Sequence, residues 1–159
     1  MSDQSLYREK EIVDKISSKF GEKIKTNYIN TKRIKFEVSK DDIIEFAKFV
    51  KDMGFDHPIS VAGTDYPKDG KIEVTYHIDS CSNESYFGIV LTIAVRLARD
   101  EPIMPTLMNI YKGVEYHERE TFEMLGVVFK DHRKLDRLLL PEDWADIPPL
   151  RKDFQIKGR

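Results

Sequence analysis

Cysteine is almost absent from this sequence, since Cys81 is the only one among 159 residues. One thiol cannot build a disulfide framework, and it cannot hold an iron–sulfur cluster, which needs several thiolates. Cys81 lies between Ser80 and Ser82 in an expected loop at the end of a strand, where a lone thiol is more often inert than nucleophilic. We therefore expect a reducing, intracellular setting and no cluster bound by this chain alone.

Long apolar runs and an excess of positive charge are also missing. The longest apolar stretch, residues 87–95, stops at Arg96, far short of the ~20 residues that cross a bilayer as a helix. The formal net charge is −2 although 34% of the residues are charged, so no excess of positive charge is available to neutralise a phosphate backbone. Nucleic acid is not an expected partner, and a membrane would be reached only indirectly, through other proteins.

Motifs that bind phosphates or metals are missing as well. The sequence has neither a glycine-rich dinucleotide fingerprint nor a phosphate-binding loop. His117 and Glu118 begin like a zinc-protease helix, but Thr121 stands where the second histidine is needed. The histidines lie far apart in the sequence without a nearby cysteine, so surface or core roles are favoured over metal binding; they are His57, His77, His117 and His132. We predict no metal site and no cofactor site.

A carboxylate pair for acid–base catalysis would have to come from Glu118, Glu120 and Glu123. A general acid in such a pair needs a raised pKa. Arg119 on the same helical turn favours the charged form of a nearby carboxylate and so lowers its pKa. We therefore predict no catalytic residue.

Apolar periodicity in the first half predicts an α+β fold. Residues 6–20 have a helical apolar stripe that stops at a glycine, and residues 24–28 and 34–38 alternate as an antiparallel hairpin. Ser39 is a candidate cap for a second helix, which Gly54 would end. These features predict two helices and a hairpin in the N-terminal half.

The next segment predicts strands. Residues 55–66 form a less regular strand, and the turn at 68–70 leads to residues 71–79, which alternate apolar and polar side chains. Residues 87–98 are apolar on both sides, so this strand is expected to be more central. Residues 106–111 predict a brief helical turn. We divide the chain into a globular part, 1–112, and a C-terminal part, 113–159.

The C-terminal part begins with a short predicted helix, 113–126, stopped by Gly126. Glu115, Arg119 and Glu123 are spaced four apart, so they would share one helix face. We expect Arg119 to tie the two glutamates together. Glu118 and Glu120 are candidates for pairing with basic groups that follow the helix or belong to a partner.

Residues 127–154 contain three prolines and are predicted to be largely extended. They carry too much apolar surface for a disordered tail: Phe129, Leu138, Leu139, Leu140, Trp144, Leu150 and Phe154. Either the domain itself or another protein must cover them. We favour a partner, because spaced aromatic and arginine side chains are typical of protein interfaces.

Three stretches and one histidine between them resemble a known family; in chain order they are ERETFEMLGVVF, His132, DRLLLPEDW and PLRKDF. They resemble the 30 kDa subunit family of respiratory complex I, also called the C subunit of NADH-quinone oxidoreductase. Glu123 departs from the usual aspartate, Asp136 from the usual first arginine of a pair, and one extra residue stands at 146–148. The residues that match in order are Glu118, Arg119, Glu120, Gly126, His132, Arg137, Pro141, Trp144, Pro149, Leu150, Arg151, Lys152 and Asp153.

The resemblance implies a two-layer α+β domain with a mixed sheet. It also implies an accessory subunit without its own cofactor, packed on a hydrogenase-like large quinone-site subunit and near a small iron–sulfur subunit, at the cytoplasmic face of the membrane. The iron–sulfur clusters and the quinone would belong to those partners, and the complex would pass electrons from NADH to quinone coupled to ion translocation. The implied interface residues are Glu118, Arg119, Glu120, Glu123, Gly126, His132, Arg137, Trp144, Arg151, Lys152 and Asp153.

Three alternatives stay open. The first is the equivalent subunit of a membrane-bound hydrogenase, or of a dehydrogenase fed by a reduced deazaflavin or ferredoxin. The second is a stand-alone adaptor, and the third is a small-molecule enzyme.

Overall fold

A five-stranded mixed sheet is the centre of the computed structural model, which describes residues 6–145 and 147–156. Its strands are β1 (Ile24–Asn30), β2 (Arg33–Val38), β3 (His57–Tyr66), β4 (Lys71–Asp79) and β5 (Val90–Ala98). Their order is β1-β2-β5-β4-β3; β2 and β5 are parallel, and the other neighbours are antiparallel. The predicted α+β class and mixed sheet are confirmed, and β5 is the central strand as expected.

Two helices, α1 (Tyr7–Phe20) and α2 (Ile43–Met53), form the second layer. Their apolar stripes are buried, and the Phe46 ring contacts Phe20 of α1 at 5.2 Å and Phe36 of β2 at 5.6 Å between centroids. A fully buried side chain of this size contributes roughly 1.5–3 kcal/mol relative to exposure. The core therefore lies between these helices and one face of the sheet.

Two predicted boundaries are wrong. Ser39 does not cap α2; its hydroxyl accepts the Asp42 N–H at 3.2 Å, and Asp42 is the residue before the helix. Strand β5 begins at Val90 rather than at residue 87, because a 3-10 turn, Glu84–Tyr86, precedes it and Gly88 has a φ of 79°. In both places a local polar turn is favoured over an earlier start of the element.

A second, two-stranded parallel sheet was not predicted. It pairs β6 (Ile103–Pro105) with β7 (Val128–Lys130), and α3 (Glu115–Leu125) lies between them in the chain. Three-residue strands are too short to show an alternating pattern. The described residues include no helix long and apolar enough to cross a membrane.

Helix α3 packs on the edge strand β3 at a glycine. A Cβ atom added at Gly63 would lie 2.2 Å from Leu125 Cδ1 and 3.3 Å from Thr121 Cγ2. The missing side chain therefore lets the helix approach the strand.

We expect Gly63→Val to lower the free energy of unfolding by about 1–3 kcal/mol, since the added carbons overpack a buried contact. Urea denaturation measures the change. Ala62→Val adds a larger side chain at an exposed position of the same strand and serves as the control. Equal stability of the two variants would show that the close approach at Gly63 has no energetic importance.

Candidate interaction site

Helix α3 and the chain after it form the candidate site. Gly126 ends α3 with a φ of 77°, and its N–H donates to the Phe122 carbonyl at 2.8 Å. After β7 the chain continues as residues 131–156, here called the arm, which contains no helix or strand within its described residues. The inner side of the arm lies against α3 and β3. For this side, the preference for a covering partner over the chain's own domain was wrong.

Glu118 is the centre of a buried hydrogen-bond network. Its side chain has no exposed surface, and it accepts hydrogen bonds from the Tyr76 hydroxyl and the Leu107 N–H, both at 2.9 Å. The Thr106 hydroxyl donates a third. The network joins α3 to β4 and to the segment after β6, so Glu118 fixes the helix against the sheet.

Burial raises the pKa of Glu118 above its ordinary value, although its hydrogen bonds and His132 act in the opposite direction. The expectation that Arg119 would keep this carboxyl from a raised pKa was wrong, because the Arg119 guanidinium bonds to the arm instead. Burial, and next the charge of Glu118, also raises the pKa of Tyr76. Since the Glu118 side chain is inaccessible to solvent, its raised pKa does not place an acid in contact with a substrate.

His132 attaches the start of the arm to the first turn of α3. Its Nε2 atom lies 3.2 Å from the Glu115 carbonyl oxygen, and its Nδ1 atom accepts the Lys134 N–H at 3.2 Å. We assign the proton to Nε2 from these two partners. The ring has no exposed surface and lies 3.9 Å from a Glu118 oxygen, so it positions the arm.

Arg119 does not bridge Glu115 and Glu123, so that prediction was wrong. Its guanidinium donates to the carbonyl oxygens of Asp136 at 3.2 Å and Arg137 at 2.8 Å, and it pairs with the Asp136 carboxylate. Glu115 pairs with Arg133, which lowers the pKa of that carboxyl. Arg119, Glu115 and Glu123 were expected to pair with one another on the helix. The arm supplies their partners instead.

Glu123 holds three consecutive backbone N–H groups of the arm. Its carboxylate accepts from Leu138 at 3.2 Å, Leu139 at 2.9 Å and Leu140 at 2.8 Å. Backbone donors that bond to a charged group form stronger hydrogen bonds than neutral pairs do. Glu120, on the same helix, is exposed, and its side chain has no hydrogen bond or ion pair with the described residues.

The arm also caps the C-terminal end of α3. The Leu150 N–H donates to the Met124 carbonyl at 3.0 Å, and Arg151 Nε donates to the Leu125 carbonyl at 2.8 Å. A cation at a helix C-terminus also interacts favourably with the helix dipole. A Cβ atom on Gly126 would lie 3.2 Å from Arg151 and from Pro148, so the glycine allows the arm to pass this close.

A buried aspartate of β3 binds the end of the arm. The Asp65 side chain is fully buried, and Arg99 binds both of its oxygens, at 2.7 and 2.9 Å. The Lys152 N–H also donates to Asp65, at 2.9 Å, and Arg99 contacts Asp153 at 2.8 Å. Arg99 lowers the pKa of both aspartates. This cluster attaches the arm to the sheet.

The remaining predicted residues make contacts within the arm. Arg137 donates to the Trp144 carbonyl at 2.8 Å, and Trp144 Nε1 donates to the Ile147 carbonyl at 3.1 Å. The Trp144 ring stacks on Phe154 with centroids 6.0 Å apart. These bonds give the arm its own shape, and an interface role for Arg137 and Trp144 stays a prediction.

Sequence reasoning missed Asp65, Arg99 and Thr106 as parts of the site. Asp65 could have been noticed, because Val61 and Asp65 are the buried positions of β3, and a carboxylate among buried positions requires a partner. The separation of the histidines in sequence was also misleading, since His57 lies close to Asp79 and Cys81 in space.

Comparison with known proteins places the molecule among the subunits of multi-subunit respiratory oxidoreductases. Residues 36–159 match the family described as the 30 Kd subunit of respiratory-chain NADH dehydrogenase. The chain belongs to this family.

Three proteins are similar to this chain over most of its length. The chain is 37% identical over 146 residues to the C subunit of the F(420)H(2) dehydrogenase of Methanosarcina mazei, covering 91% of this chain and 90% of that protein. It is 38% identical over 125 residues to the C subunit of the NADH-quinone oxidoreductase of a Roseiflexus strain, covering 75% and 68%. A chain of the membrane-bound sulfane sulfur reductase, an archaeal respiratory membrane complex, superposes with a TM-score of 0.82 at 27% identity, covering 94% of this chain and 87% of that one.

Proposed function

We propose that this chain is a non-catalytic scaffold subunit in the peripheral part of a complex I-type oxidoreductase that transfers electrons to quinone coupled to ion translocation. The arm would bind the hydrogenase-like large quinone-site subunit, close to the small iron–sulfur subunit, at the cytoplasmic face of the membrane. The partners would carry the clusters and the quinone. Family membership and the single cysteine of the chain support this proposal.

The observation that carries the proposal is the outer side of the arm. Its backbone is fixed by Glu123 and by the end of α3, yet Leu139 is 61% exposed and Leu150 is 58% exposed. Apolar side chains on an already ordered backbone bind a partner at a lower cost in conformational entropy. Between α3 and the arm there is also an open cavity of about 160 Å³, whose lining includes Phe122, Leu140, Trp144, Ile147 and Pro148.

A second candidate is the equivalent subunit of a complex with another electron donor, such as a reduced deazaflavin. The F(420)H(2) dehydrogenase relative matches 91% of this chain, against 75% for the Roseiflexus relative at similar identity. Both candidates share the scaffold role and differ only in the donor-binding subunits.

Affinity purification of the tagged chain from gently solubilised native membranes tests both candidates. We expect mass spectrometry to identify a large quinone-site subunit and an iron–sulfur subunit, with iron present in the sample. The donor-binding subunits that copurify decide between NADH and another donor. Recovery of the chain alone and without iron would contradict the scaffold proposal.

We expect the double substitution Leu139→Asp and Leu150→Asp to reduce copurification of the large subunit by at least about tenfold. Each leucine would lose apolar burial worth roughly 1.5–3 kcal/mol at the interface, and each aspartate would bury a charge. The free chain should unfold at an unchanged temperature, because both side chains are exposed in it.

Phe87→Asp is the matched control, since Phe87 is an exposed apolar residue outside the arm. It should copurify like the wild type. Normal recovery of partners with the double variant would show that the outer side of the arm is not the contact surface.

A further inference from the structure

Three side chains with metal-binding atoms meet at one end of the sheet, opposite the end at which Lys152 of the arm binds Asp65. His57 begins β3, Asp79 ends β4, and Cys81 follows in the next turn. Their ligand atoms, a ring nitrogen, a carboxylate oxygen and the sulfur, lie within 4.8 Å of one another. No other group of three such residues within ligand distance occurs in the part of the chain that the structure describes.

The backbone determines where these side chains lie. The antiparallel register pairs His57 with Asp79, and His57 Nδ1 lies 2.7 Å from Asp79 Oδ1. The Asp56 carboxylate accepts the Cys81 N–H at 2.9 Å, and the Asn83 N–H donates to Ser80 Oγ at 3.0 Å. The thiol is thus held beside the His–Asp pair by an ordered turn.

The donor set favours a particular class of metal ion. Thiolate and imidazole ligands select zinc-type ions over magnesium and calcium, which prefer oxygen ligands. Around tetrahedral Zn²⁺, with bonds of about 2.0–2.3 Å, ligand atoms lie roughly 3.3–3.7 Å apart. The three atoms lie at most 4.8 Å apart, with His57 Nδ1 2.7 Å from Asp79 Oδ1, so side-chain movements of about 1 Å give the tetrahedral spacing, and the exposure of His57 and Cys81 permits them.

We propose that His57, Asp79 and Cys81 bind one divalent ion of the zinc class, with water in the fourth position. Metal–nitrogen, metal–oxygen and metal–sulfur bonds replace bonds from the hydrated ion to water, the His57–Asp79 hydrogen bond breaks, and the thiol proton of Cys81 passes to solvent. No electron is transferred. The bound ion would connect the ends of β3 and β4 to the turn that follows β4.

The site is separate from the place where the end of the arm binds the sheet. His57 and Asp65 lie at opposite ends of β3, roughly 25 Å apart at the rise of a strand. The proposal therefore goes beyond the scaffold role, and metal binding by the chain is measured without the partners.

Co²⁺ absorbance of the full chain, purified without a polyhistidine tag and kept reduced by a phosphine, tests the proposal. We expect a sulfur-to-cobalt charge-transfer band that saturates at one ion per chain and disappears when Zn²⁺ is added. Cys81→Ser should abolish the band. His57→Ala and Asp79→Ala should weaken binding by more than about tenfold, because even the loss of an outer-shell partner of a metal ligand costs about 10–100-fold in metal affinity.

His117→Ala is the matched control, since His117 is partly exposed and lies outside the cluster; it should bind Co²⁺ like the wild type. Circular dichroism checks that each variant is folded, which the surface position of the three side chains favours. Absence of the charge-transfer band in the wild type, or undiminished affinity in His57→Ala, would overturn the proposal.

Discussion

Glu118→Ala is expected to lower the free energy of unfolding by about 3–5 kcal/mol, because it leaves buried donors of Tyr76, Thr106 and Leu107 without their acceptor. That is a large part of the roughly 5–15 kcal/mol that stabilises a typical domain. In a chain of this size the melting temperature should fall by about 6–20 °C. Urea and thermal denaturation measure both quantities.

Glu118→Gln separates the loss of hydrogen bonds from the loss of charge. The amide keeps the size of the side chain and an acceptor oxygen, so we expect a cost of about 1 kcal/mol or less. If Glu118→Ala were no less stable than Glu118→Gln, the buried network would not hold α3 against the sheet.

The wild type and Glu118→Gln should also differ in how their stability depends on pH. Because the pKa of Glu118 is raised in the folded chain, the folded state binds this proton more tightly than the unfolded state does. The resulting stabilisation is complete below the ordinary glutamate pKa and is lost as pH rises through the raised value. The stability of the wild type relative to Glu118→Gln should therefore decline across that window. A difference that does not change with pH would contradict the raised pKa.

Glu123→Ala is expected to release the middle of the arm while leaving the domain folded. Its carboxylate holds the N–H groups of Leu138, Leu139 and Leu140, and hydrogen bonds to charged groups contribute about 1.5–3 kcal/mol. Amide exchange at these residues should accelerate by about 10–100-fold, since 1.4 kcal/mol corresponds to tenfold. Hydrogen exchange followed by mass spectrometry measures the change, and recovery of partners should fall with it.

Glu120→Ala is the control for this effect, because it removes an exposed glutamate from the same helix. Exchange in the arm should be unchanged in that variant. Equal exchange in the two variants would show that the Glu123 carboxylate does not order the arm.

Strong periodicity predicted the main elements of the fold. Helices α1 and α2 and strands β4 and β5 all have several apolar residues in the expected period, and each lies within a few residues of its predicted range. The three-residue strands β6 and β7 are formed by tertiary pairing, which no local pattern records.

The contacts of the signature residues could not be predicted from the helix pattern. The resemblance picked out Glu118, Arg119 and Glu123 together, but helix spacing shows only which side chains are neighbours on the helix. It does not show that backbone N–H and carbonyl groups of a later segment will compete for the same charges. The arm supplied those groups, so the predicted pairing of Arg119 with Glu115 and Glu123 was wrong.

The bond between Lys152 and Asp65 spans 87 residues of sequence. Closing so long a loop is entropically costly, so such contacts tend to form late in folding. During synthesis the sheet and its helices can fold before the arm has emerged, whereas the ordered outer side of the arm requires residues that are made after them. A chain cut before the arm would keep much of its core but lack the proposed contact surface.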